Sequence, residues 1–394
     1  MSDELSTAGD VEANVGAIRV VLADGRVVML RPLGPGDQDA VLRLHRELDG
    51  RDRYFRFFGP MPPRVVDLVS GMTSPVDARH GSMGVFLGAE LWGVAHYEVL
   101  ADPTEAEVAL AVSGTAQAHG VGTLLLEHLV SLARHHGVRR FVAEVLTENG
   151  RMLRMFGDCG LPCRMNRESG VTHVELVLDE VETYLDAMAE RERAADVVSL
   201  RSVLQPRSLV VVCAAGGHRG AIGPAVLTNL IAGGYSGQLY AVTPHLEGIL
   251  GVPSVPTVGD LPVACELAVL CVPPAVVPEV AQQCGQRGVR ALVVISAGPA
   301  GDSQRPGQLL GEVRRYGMRM VGPNSVGVSN SDPAVRLDAT VAPSPAPSGT
   351  VGLVTQSGGI GIALREQLGQ LGLGLSAMVS TGDKFDVSGN DLLM

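Results

Sequence analysis

Five short, uninterrupted apolar runs follow Pro206 and constrain the fold of the second half of the chain. Helical stretches such as GPAVLTNLIAGG separate most of these runs, which are SLVVVC, QLYAV, ELAVLCV, RALVVIS and RMVG. Strands that are buried on both faces lack polar alternation, and helical crossovers between them make neighbouring strands parallel. The pattern therefore predicts a doubly wound α/β sheet.

The end of the chain predicts a second, smaller α/β unit. The stretch DPAVRLDATVAPSPAPSGT is rich in Pro, Ser and Ala and predicts a crossing between domains. A strand VGLVTQ follows it, then a helix that begins at Ser357, then a strand LGLSAMVS. Because two strands and one helix cannot cover a parallel sheet, either this unit packs on the preceding one or the chain is a fragment of a longer protein.

The first half of the chain mixes hairpins and helices. AIRVVLADGRVVMLRPL predicts two strands around an Asp24-Gly25 turn, and a helix begins near Asp37. GSMGVFLGAELWGVAHYEVL predicts a strand pair, and EAEVALAV alternates as a half-buried strand does. The stretches VRRFVAEVL, ENGRMLRMFGDCGL and THVELVLDE follow as strand, helix and strand. We expect an α+β domain here, followed by a charged, solvated helical linker.

Length and charge limit the classes of protein and partner. A chain of 394 residues is too long for one ordinary domain, and its net charge of −11 disfavours nucleic acid but suits a basic substrate surface. No apolar run is long enough to span a bilayer, and the polar, acidic stretch MSDELSTAGDVEAN is unlike a signal peptide. Six cysteines lack metal-type spacing. We expect a cytoplasmic protein with free thiols, without a membrane or nucleic-acid partner.

The stretch QAHGVGTLLLEHLVSLARHH places two glycines at the start of an apolar helix. The first turn of a helix carries unpaired N–H groups and a partial positive charge. Gly120 and Gly122 remove the β-carbons that would obstruct an anion, and they allow unusual backbone angles. We expect the amides from His119 to Thr123 to converge on a pyrophosphate, with a contact from the Gln117 side chain. The alternative is that the glycines only relieve crowding.

The spacing Gln-x-x-Gly-x-Gly, between an alternating strand and an apolar helix, resembles the acetyl-CoA site of GNAT N-acetyltransferases. The resemblance covers about residues 18–179 and includes the later strand RRFVAEVL. It implies that acetyl-CoA is the cosubstrate and that its pantetheine arm pairs with the strand backbone before the loop and lies near Asn149. The cofactor-binding residues that it implies are Leu110, Ala111, Val112, Gln117, His119, Gly120, Val121, Gly122, Thr123, Asn149 and Phe156.

Amide formation requires a proton acceptor, because a lysine ammonium has a pKa of about 10.4 and only the neutral amine attacks a thioester. Glu105 and Glu107 lie two apart on one strand and therefore point to the same face. Neighbouring carboxylates and partial burial both raise proton affinity. Glu105 suits a solvated strand edge, whereas Glu107 resembles the base glutamate of GNAT protein lysine acetyltransferases. We predict Glu107 as the general base, with Glu98, Asp102 and Glu105 as an acidic rim that attracts a cationic acceptor.

Phe156 departs from the GNAT pattern. Many enzymes of that family carry a tyrosine there, which protonates the leaving thiolate. Because a thiol has a pKa of only about 8.5, the thiolate can leave without a dedicated acid. Backbone N–H groups near Ala111 or Val112 would stabilise the developing oxyanion.

Several motifs of the second half resemble the CoA-binding and following domains of NDP-forming acyl-CoA synthetases, in the succinyl-CoA ligase superfamily. They are SLRSVLQPRSLVVV, VISAG, VGPNSVGV, TQSGGIGIAL and STGDKFDVSGNDLL. The loop CAAGGHRGAIG lacks Gly-x-Gly-x-x-Gly, and VTPH lacks the acidic residue that binds an NAD ribose, which argues against a dehydrogenase. Cys213 stands where that family usually has glycine. The stretch 355–359 predicts another phosphate cradle at a helix start.

The two resemblances together imply the domain plan and a second ligand. We expect a disordered N-terminus (1–17), a GNAT domain (18–179), a helical linker (180–203), a Rossmann-like CoA-binding domain (204–332) and a partial, flavodoxin-like succinyl-CoA ligase domain (333–394). The C-terminal part is expected to bind a second CoA or a nucleotide. The synthetase family also uses a phosphohistidine and an ATP-grasp domain, which the resemblance places beyond the VSGNDLL motif.

A GNAT domain fused to a synthetase-like region resembles the bacterial protein lysine acetyltransferases that silence AMP-forming acetyl-CoA synthetase. This resemblance implies transfer of an acetyl or short acyl group to a lysine of a metabolic enzyme, with a regulatory C-terminal part. Three alternatives stay open: a regulator that senses CoA or a nucleotide, a truncated NDP-forming acyl-CoA synthetase, and a small-molecule amine acetyltransferase. The stretch DGRDRYFRFFGPMPP is expected to be a loop that contributes to the choice of acceptor.

Overall fold

The computed structural model describes residues 16–178, 182–214, 222–243, 250–296, 305–345 and 347–393. The chain divides into two compact units, the first built mainly by residues 29–86 and 90–187 and the second mainly by residues 188–393. All but the last two positions of the predicted disordered N-terminus lie outside the described residues. Among the described helices, none combines the length and hydropathy that crossing a bilayer requires.

A mixed sheet organises the first unit. Its strands, in the described part of the chain, are β1 (Ile18–Val21), β2 (Val27–Pro32), β3 (His80–Leu87), β4 (Glu90–Val99), β5 (Glu105–Val112), β6 (Arg140–Leu146), β7 (Cys163–Glu168) and β8 (Val171–Val177). Their order in the sheet is β1-β2-β3-β4-β5-β6-β8-β7. β5 and β6 are parallel, whereas β4–β5, β6–β8 and β7–β8 are antiparallel. The predicted α+β architecture is confirmed.

Helices cover both faces of this sheet. They are α1 (Gln38–Glu47), α2 (Gly50–Phe57), α3 (Val65–Met72), α4 (Val121–His135) and α5 (Gly150–Asp158). A further helix, α6 (Glu182–Leu204), belongs mostly to the second unit. Apolar residues of α1 and α3 share a core with Val94 of β4 and Ala111 of β5. On the opposite face, a β-carbon at Gly93 would lie 2.9 Å from Val121 of α4. Side chains alternate along a strand, so the face of Val94 and Ala111 also carries Glu98 and Glu107.

Three elements, of which α6 lies mostly in the second unit, differ from the sequence expectations. The predicted acceptor loop DGRDRYFRFFGPMPP contains α2, whose N-terminus is capped by Asp49, which accepts a hydrogen bond from the Asp52 N–H at 2.7 Å. The polar strand β7 was not predicted, and its side chains are mostly exposed because it lies at the sheet edge. The predicted helical linker is observed as α6, but Leu200 and Val203 of its last turns are buried, so the helix is not solvated throughout.

A parallel sheet organises the second unit, as the apolar runs predicted. Its described strands are β9 (Ser208–Cys213), β10 (Gln238–Val242), β11 (Ser254–Val255), β12 (Leu267–Cys271), β13 (Ala291–Val294) and β14 (Arg319–Val321), in the order β11-β10-β9-β12-β13-β14. The accompanying helices are α7 (Ile222–Gly233), α8 (Val277–Gln286) and α9 (Arg305–Arg315). Every residue of β9 and β12 is buried, which explains their uninterrupted apolar sequences.

A smaller mixed sheet completes the second unit. It contains β15 (Gly327–Asn330), β16 (Leu337–Thr340), β17 (Ser348–Thr355) and β18 (Leu375–Ser380) in the order β16-β15-β18-β17, with helices α10 (Gly358–Gln370) and α11 (Gly389–Leu392). The predicted crossing between domains is therefore wrong over β16, which is a buried strand. Val328 and Val379 share one core with Val211 and Val293. The smaller sheet therefore packs on the parallel sheet of the same unit.

A buried arginine ties three segments of the second unit together. Arg319 of β14 is 3% exposed and donates hydrogen bonds to Ser199 Oγ at 2.9 Å and to Asp391 Oδ1 at 2.6 Å. Its Nε lies 3.3 Å from Asp386 Oδ2. The cysteines, all six of which are described, are free as expected, and Cys163 is the least buried of them.

Candidate functional site

The start of helix α4 has only part of the geometry that the two glycines predicted. Gly120 precedes the helix with φ of +86°, in the left-handed region that a residue with a β-carbon rarely adopts. The N–H of Leu124 donates to the Gly120 carbonyl at 3.0 Å, so the amides before Leu124 belong to the first turn, where a helix offers no acceptor of its own. This end of the helix favours a negatively charged group.

Gly122 has a different role from Gly120. It lies inside helix α4, and a β-carbon there would lie 3.1 Å from Met155 Sδ of α5 and 3.9 Å from Val112 Cγ2. Its lack of a side chain therefore allows the close approach of α5, whereas the expectation of unusual backbone angles holds only for Gly120. Val121 is 1% exposed, so its contribution to the site is its backbone.

Strands β5 and β6 separate after a short pairing. β5 pairs with β6 only over Glu105–Glu107 and Arg140–Val142, while its other edge pairs with β4 as far as Val112. Beyond Glu107, none of the strands in the described part of the chain pairs with the backbone edge of β5 that faces β6. This segment includes Leu110, Ala111 and Val112, which were predicted to pair with pantetheine. Leu110 and Ala111 are buried residues, so a contact of their backbone with pantetheine stays a prediction.

Helix α5 positions the two remaining residues of the predicted cofactor set. The side chain of Asn149 caps this helix, because its Oδ1 accepts a hydrogen bond from the Met152 N–H at 3.2 Å. Phe156 is 1% exposed and belongs to the interior. A contact of Asn149 or Phe156 with a cofactor stays a prediction, and both residues have a structural role without it.

The Gln117 amide is engaged by protein groups, whereas the sequence predicted that it contacts a pyrophosphate. Its Nε2 donates to Asp52 Oδ2 of α2, and its Oε1 accepts from Arg151 Nη1 of α5. His119, two residues later in the loop, lies with its ring 6.4 Å from the Trp92 ring. Sequence reasoning missed Asp52 and Arg151. The only local signal was that Arg151 is a cation two residues after the Asn149 cap.

The predicted base and the predicted acidic rim differ in exposure from the sequence expectation. Glu107 is exposed and Glu105 is partly covered, so the expected partial burial of Glu107 is wrong, and the exposures of the two residues are the reverse of those predicted. Glu98 of β4 lies directly opposite Glu107 and is exposed. Hydrogen bonds from the backbone and the hydroxyl of Thr104 hold the pKa of Asp102 below its ordinary value.

A basic group of helix α2 interacts with Glu107. Burial lowers the pKa of Arg56 to about 10, and the negative charge of Glu107 opposes this shift. Burial, with a smaller contribution from Arg56, also lowers the pKa of His96 of β4 well below its ordinary value. Burial, with a smaller contribution from Arg56, likewise lowers the pKa of His45 of α1 to about 4. At neutral pH these two histidines are therefore uncharged, while Arg56 keeps its proton.

A cavity of about 590 Å³ lies at the end of β17, in the smaller sheet of the second unit. It opens at the start of α10, where Ser357 caps the helix by accepting a hydrogen bond from the Ile360 N–H at 3.5 Å. Thr355, Gln356 and Ser357 line it together with Asn324 and Asp383. The cavity coincides with the phosphate cradle predicted at 355–359, and it adds an acidic side chain that the sequence did not indicate.

Family models match three parts of the chain. Residues 53–161 match the acetyltransferase (GNAT) family, residues 207–331 match a CoA binding domain, and residues 348–394 match the succinyl-CoA ligase like flavodoxin domain. The chain fuses a GNAT domain to a synthetase-like CoA-binding region. This confirms the predicted combination of domains, and both parts are of types that bind CoA or acetyl-CoA.

Individual relatives match one half of this fusion each. The chain is 38% identical over 207 residues to acetate–CoA ligase [ADP-forming] I subunit alpha of Pyrococcus furiosus, covering 50% of this chain and 44% of the ligase. An acetyltransferase of Pseudomonas aeruginosa is 27% identical over 124 residues, covering 30% of this chain and 66% of its own length. The crystal structure of the GNAT domain of S. lividans PAT is 29% identical, with a TM-score of 0.38, and covers 42% of this chain and 98% of that one. The chain thus spans less than half the length of the matched ligase.

Proposed function

We propose that the first unit is an N-acetyltransferase that moves an acetyl or short acyl group from acetyl-CoA to the side-chain amine of a lysine. The observation that carries this proposal is the separation of β5 from β6, which begins at Glu107 and leads to the start of α4. The unpaired backbone edge suits the amide groups of pantetheine, and the helix start suits a diphosphate. The match to the acetyltransferase (GNAT) family supports the same assignment.

Glu107 acts as the general base in this proposal. Its exposure lets an acceptor amine reach the carboxylate, and Glu98 opposite adds a second negative charge that attracts a lysine ammonium. Glu107 accepts the amine proton, directly or through one water. The amine nitrogen then bonds to the thioester carbon, and the carbon–sulfur bond breaks. The thiolate leaves without a protein acid, since the residue at position 156 is a buried phenylalanine.

The acceptor that we propose is a lysine of a metabolic enzyme such as an AMP-forming acetyl-CoA synthetase. The resemblance to fused GNAT and synthetase-like proteins motivates this choice, together with the exposed carboxylates beside the base. The test is incubation of the whole chain with labelled acetyl-CoA and a panel of acyl-CoA synthetases, followed by mass spectrometry of their lysines. A small-molecule acetyltransferase would instead acetylate free amines and leave every synthetase unmodified.

Matched variants test the assignment of the base. Replacing Glu107 by Gln should reduce turnover by about 10²–10⁴-fold, the usual contribution of a general base, while acetyl-CoA binding stays measurable. Glu105→Gln is the control, because Glu105 lies on the same strand and face, two residues away. Turnover in Glu107→Gln at the rate of the unmodified protein would overturn the role of Glu107.

A second candidate function is that of a CoA or nucleotide sensor, which the cavity at the start of α10 favours. Calorimetry of the whole chain with CoA, ADP and ATP tests it. Binding of a ligand that is weakened by Ser357→Trp, in a chain without acetyl transfer, would favour the sensor. The relatedness to ADP-forming ligases also calls for a synthetase assay, which measures ATP formed from acetyl-CoA, ADP and phosphate. ATP formation would show that the chain retains ligase chemistry.

A further inference from the structure

Helix α2 presents three large side chains at the surface of the first unit. Arg51 and Tyr54 are three residues apart and share one face of the helix, and Phe58 directly follows its last residue. Tyr54 is 42% exposed, Phe58 is 41% exposed, and Arg51 is also exposed. Aromatic residues and arginine are the types enriched where proteins bind one another. We name these three residues the α2 surface.

Phe58 has a backbone conformation that phenylalanine rarely adopts. It ends α2 with φ of +57° and ψ of +21°, in the left-handed region. Glycine is the usual residue at such a helix end, because a β-carbon is crowded there. Gly59 is only one position later, so the chain places a bulky aromatic residue where glycine would relieve the strain. Strained residues of this kind cluster at functional sites, which makes Phe58 a candidate for one.

Ring contacts and a hydrogen bond hold the α2 surface in place. The Phe55 ring lies 5.2 Å from Arg51 Cζ and 6.3 Å from the Tyr54 ring. Arg53 Nη2 donates to the Leu48 carbonyl at 2.8 Å, which attaches α2 to the end of α1. A surface that is ordered before binding loses less conformational entropy when a partner binds. The α2 surface is therefore suited to docking.

The same helix adjoins the candidate acetyl-transfer site. Asp52 accepts the hydrogen bond from Gln117, in the loop before α4. Phe57 packs against the apolar cluster that contains Ala111, on the part of β5 beyond its pairing with β6. From Glu107 to Ala111 is about 13 Å along the strand, and α2 is about 12 Å long. An extended peptide, at about 3.3 Å per residue, covers both within about eight residues.

The charge around α2 is opposite in sign to that of the whole chain. Residues 43–64 contain six arginines and three acidic residues, whereas the chain has a net charge of −11. Two of the acidic residues, Asp49 and Asp52, accept hydrogen bonds within the domain. The exposed arginines are Arg43, Arg46, Arg51 and Arg64. This excess of positive charge complements an acidic partner.

We propose that the α2 surface docks the acceptor protein and selects a segment with acidic and apolar side chains within about eight residues of the acceptor lysine. The inference rests on the proposed function, since it places that lysine at Glu107. Acidic side chains of the acceptor pair with the exposed arginines, and an apolar side chain packs on the rings of Tyr54 and Phe58. The lysine meets the opposite charge of Glu98 and Glu107, so the charge pattern of the segment fixes its direction.

The test measures acetylation of blocked peptides by the whole chain with acetyl-CoA. Each peptide has one lysine and a Glu-Leu pair at a spacing of up to about eight residues on either side, and matched peptides carry Gln-Leu, Arg-Leu or Glu-Ser instead. Nα-acetyl-lysine methyl ester is the probe without flanking residues. The KM of the best Glu-Leu peptide should be about tenfold or more below that of its matched peptides. The advantage over Gln-Leu should shrink between about 0.05 and 0.5 M salt.

Variants of the α2 surface measure its contribution. Phe58→Gly accepts the left-handed conformation, and it should raise the KM of the Glu-Leu peptide about tenfold more than the KM of the ester. Arg51→Glu should raise the KM of the Glu-Leu peptide about fivefold or more and remove its salt dependence. It also keeps the proposal testable if Phe58→Gly melts early. Arg167→Glu reverses an exposed charge on the edge strand β7, and it should leave both KM values unchanged.

Specific outcomes would overturn the proposal. Equal KM values for the Glu-Leu, Gln-Leu and Arg-Leu peptides, or a KM that neither Phe58→Gly nor Arg51→Glu changes, would show that the α2 surface does not dock the acceptor. A dimer in sedimentation that dissociates in Phe58→Gly would assign the surface to a second copy of the chain. These results leave the proposed function intact if the unmodified protein acetylates the ester. If it acetylates no lysine in any probe or synthetase, the proposed function is wrong, and the docking proposal fails with it.

Discussion

Glu107 of β5 pairs with Val142 of β6, and this is the last pair that the two strands form. The candidate base therefore lies where the sheet opens, because no described strand continues the pairing on that side of β5, whereas the ladder to β4 continues on the other side. A ligand paired along that edge would bring its end close to the Glu107 carboxylate. The following predictions test the parts of this arrangement and the stability of both units.

Replacing Gly120 by Ala should weaken acetyl-CoA binding by about tenfold or more, because Gly120 adopts φ of +86° at the start of α4. The left-handed conformation should also cost the alanine variant about 1 kcal/mol of stability. Gly137 is the matched control, since it too has φ of +86° and has open space around the position of a β-carbon. Gly137→Ala should lose similar stability but bind acetyl-CoA normally. Equal affinities for acetyl-CoA in the two variants would contradict a role of the start of α4 in binding.

Replacing Phe156 by Tyr should destabilise the first unit without increasing turnover. Phe156 is 1% exposed, and an added hydroxyl without a partner costs about 1–3 kcal/mol. A thermal melt and the kcat at pH 7 to 9 check both parts. Phe141→Tyr, at a phenylalanine that is 0% exposed, provides the comparison for stability. A kcat that rises tenfold only in Phe156→Tyr would show that departure of the thiolate limits the rate.

Replacing Arg319 by Met should destabilise the second unit by about 3–5 kcal/mol, the usual cost of removing one partner from a buried ion pair. The change leaves Asp386 and Asp391 without their shared cation. Urea unfolding followed by circular dichroism measures the loss. The exposed Arg314 of α9 provides a control substitution, which should change stability by less than about 0.5 kcal/mol. Equal effects would mean that the buried ion pairs contribute little.

The second unit should lose stability in acid through Asp391. Burial raises the pKa of this carboxyl, but hydrogen bonds from Ser388 and the ion pair with Arg319 outweigh burial and lower the pKa below its ordinary value. The stabilisation that ionised Asp391 provides is therefore complete at pH values above the pKa of this group in the unfolded chain, about 3.9. It is lost as the pH falls through the lower pKa of the folded protein. Asp196, whose pKa burial raises, contributes in the opposite direction. Unfolding curves between pH 7 and 2.5 should show a smaller acid loss in Asp391→Asn.

The sequence predicted those helices and strands whose pattern of apolar and polar side chains is complete within the element itself. The alternation in EAEVALAV matches β5, and the apolar helix begins directly after Gly120. Helix α2 escaped prediction because its arginines and aromatic residues lack a clear apolar period, although the Asp49 cap was a usable signal. Strand β7 escaped because an edge strand with exposed side chains needs no apolar alternation.

The missing parts of the candidate site depend on tertiary contacts. Asp52 and Gln117 are 65 positions apart, and no periodicity in either segment encodes their hydrogen bond. The separation of β5 from β6 depends on how far the ladder extends, which the composition of the two strands does not specify. The exposure of Glu107 relative to Glu105 also depends on neighbouring elements, so the sequence assigned their burial incorrectly.

The common core of the two sheets in the second unit affects how this half of the chain can be divided. Val328, Ala339 and Val379 complete an apolar cluster that Val211 and Val293 begin. A polypeptide cut at residue 331, where the CoA binding domain match ends, would lose β16 and β18 and leave that cluster open to water. The two matched segments therefore contribute to one apolar core, and separating them should expose that core and lower the solubility of both pieces.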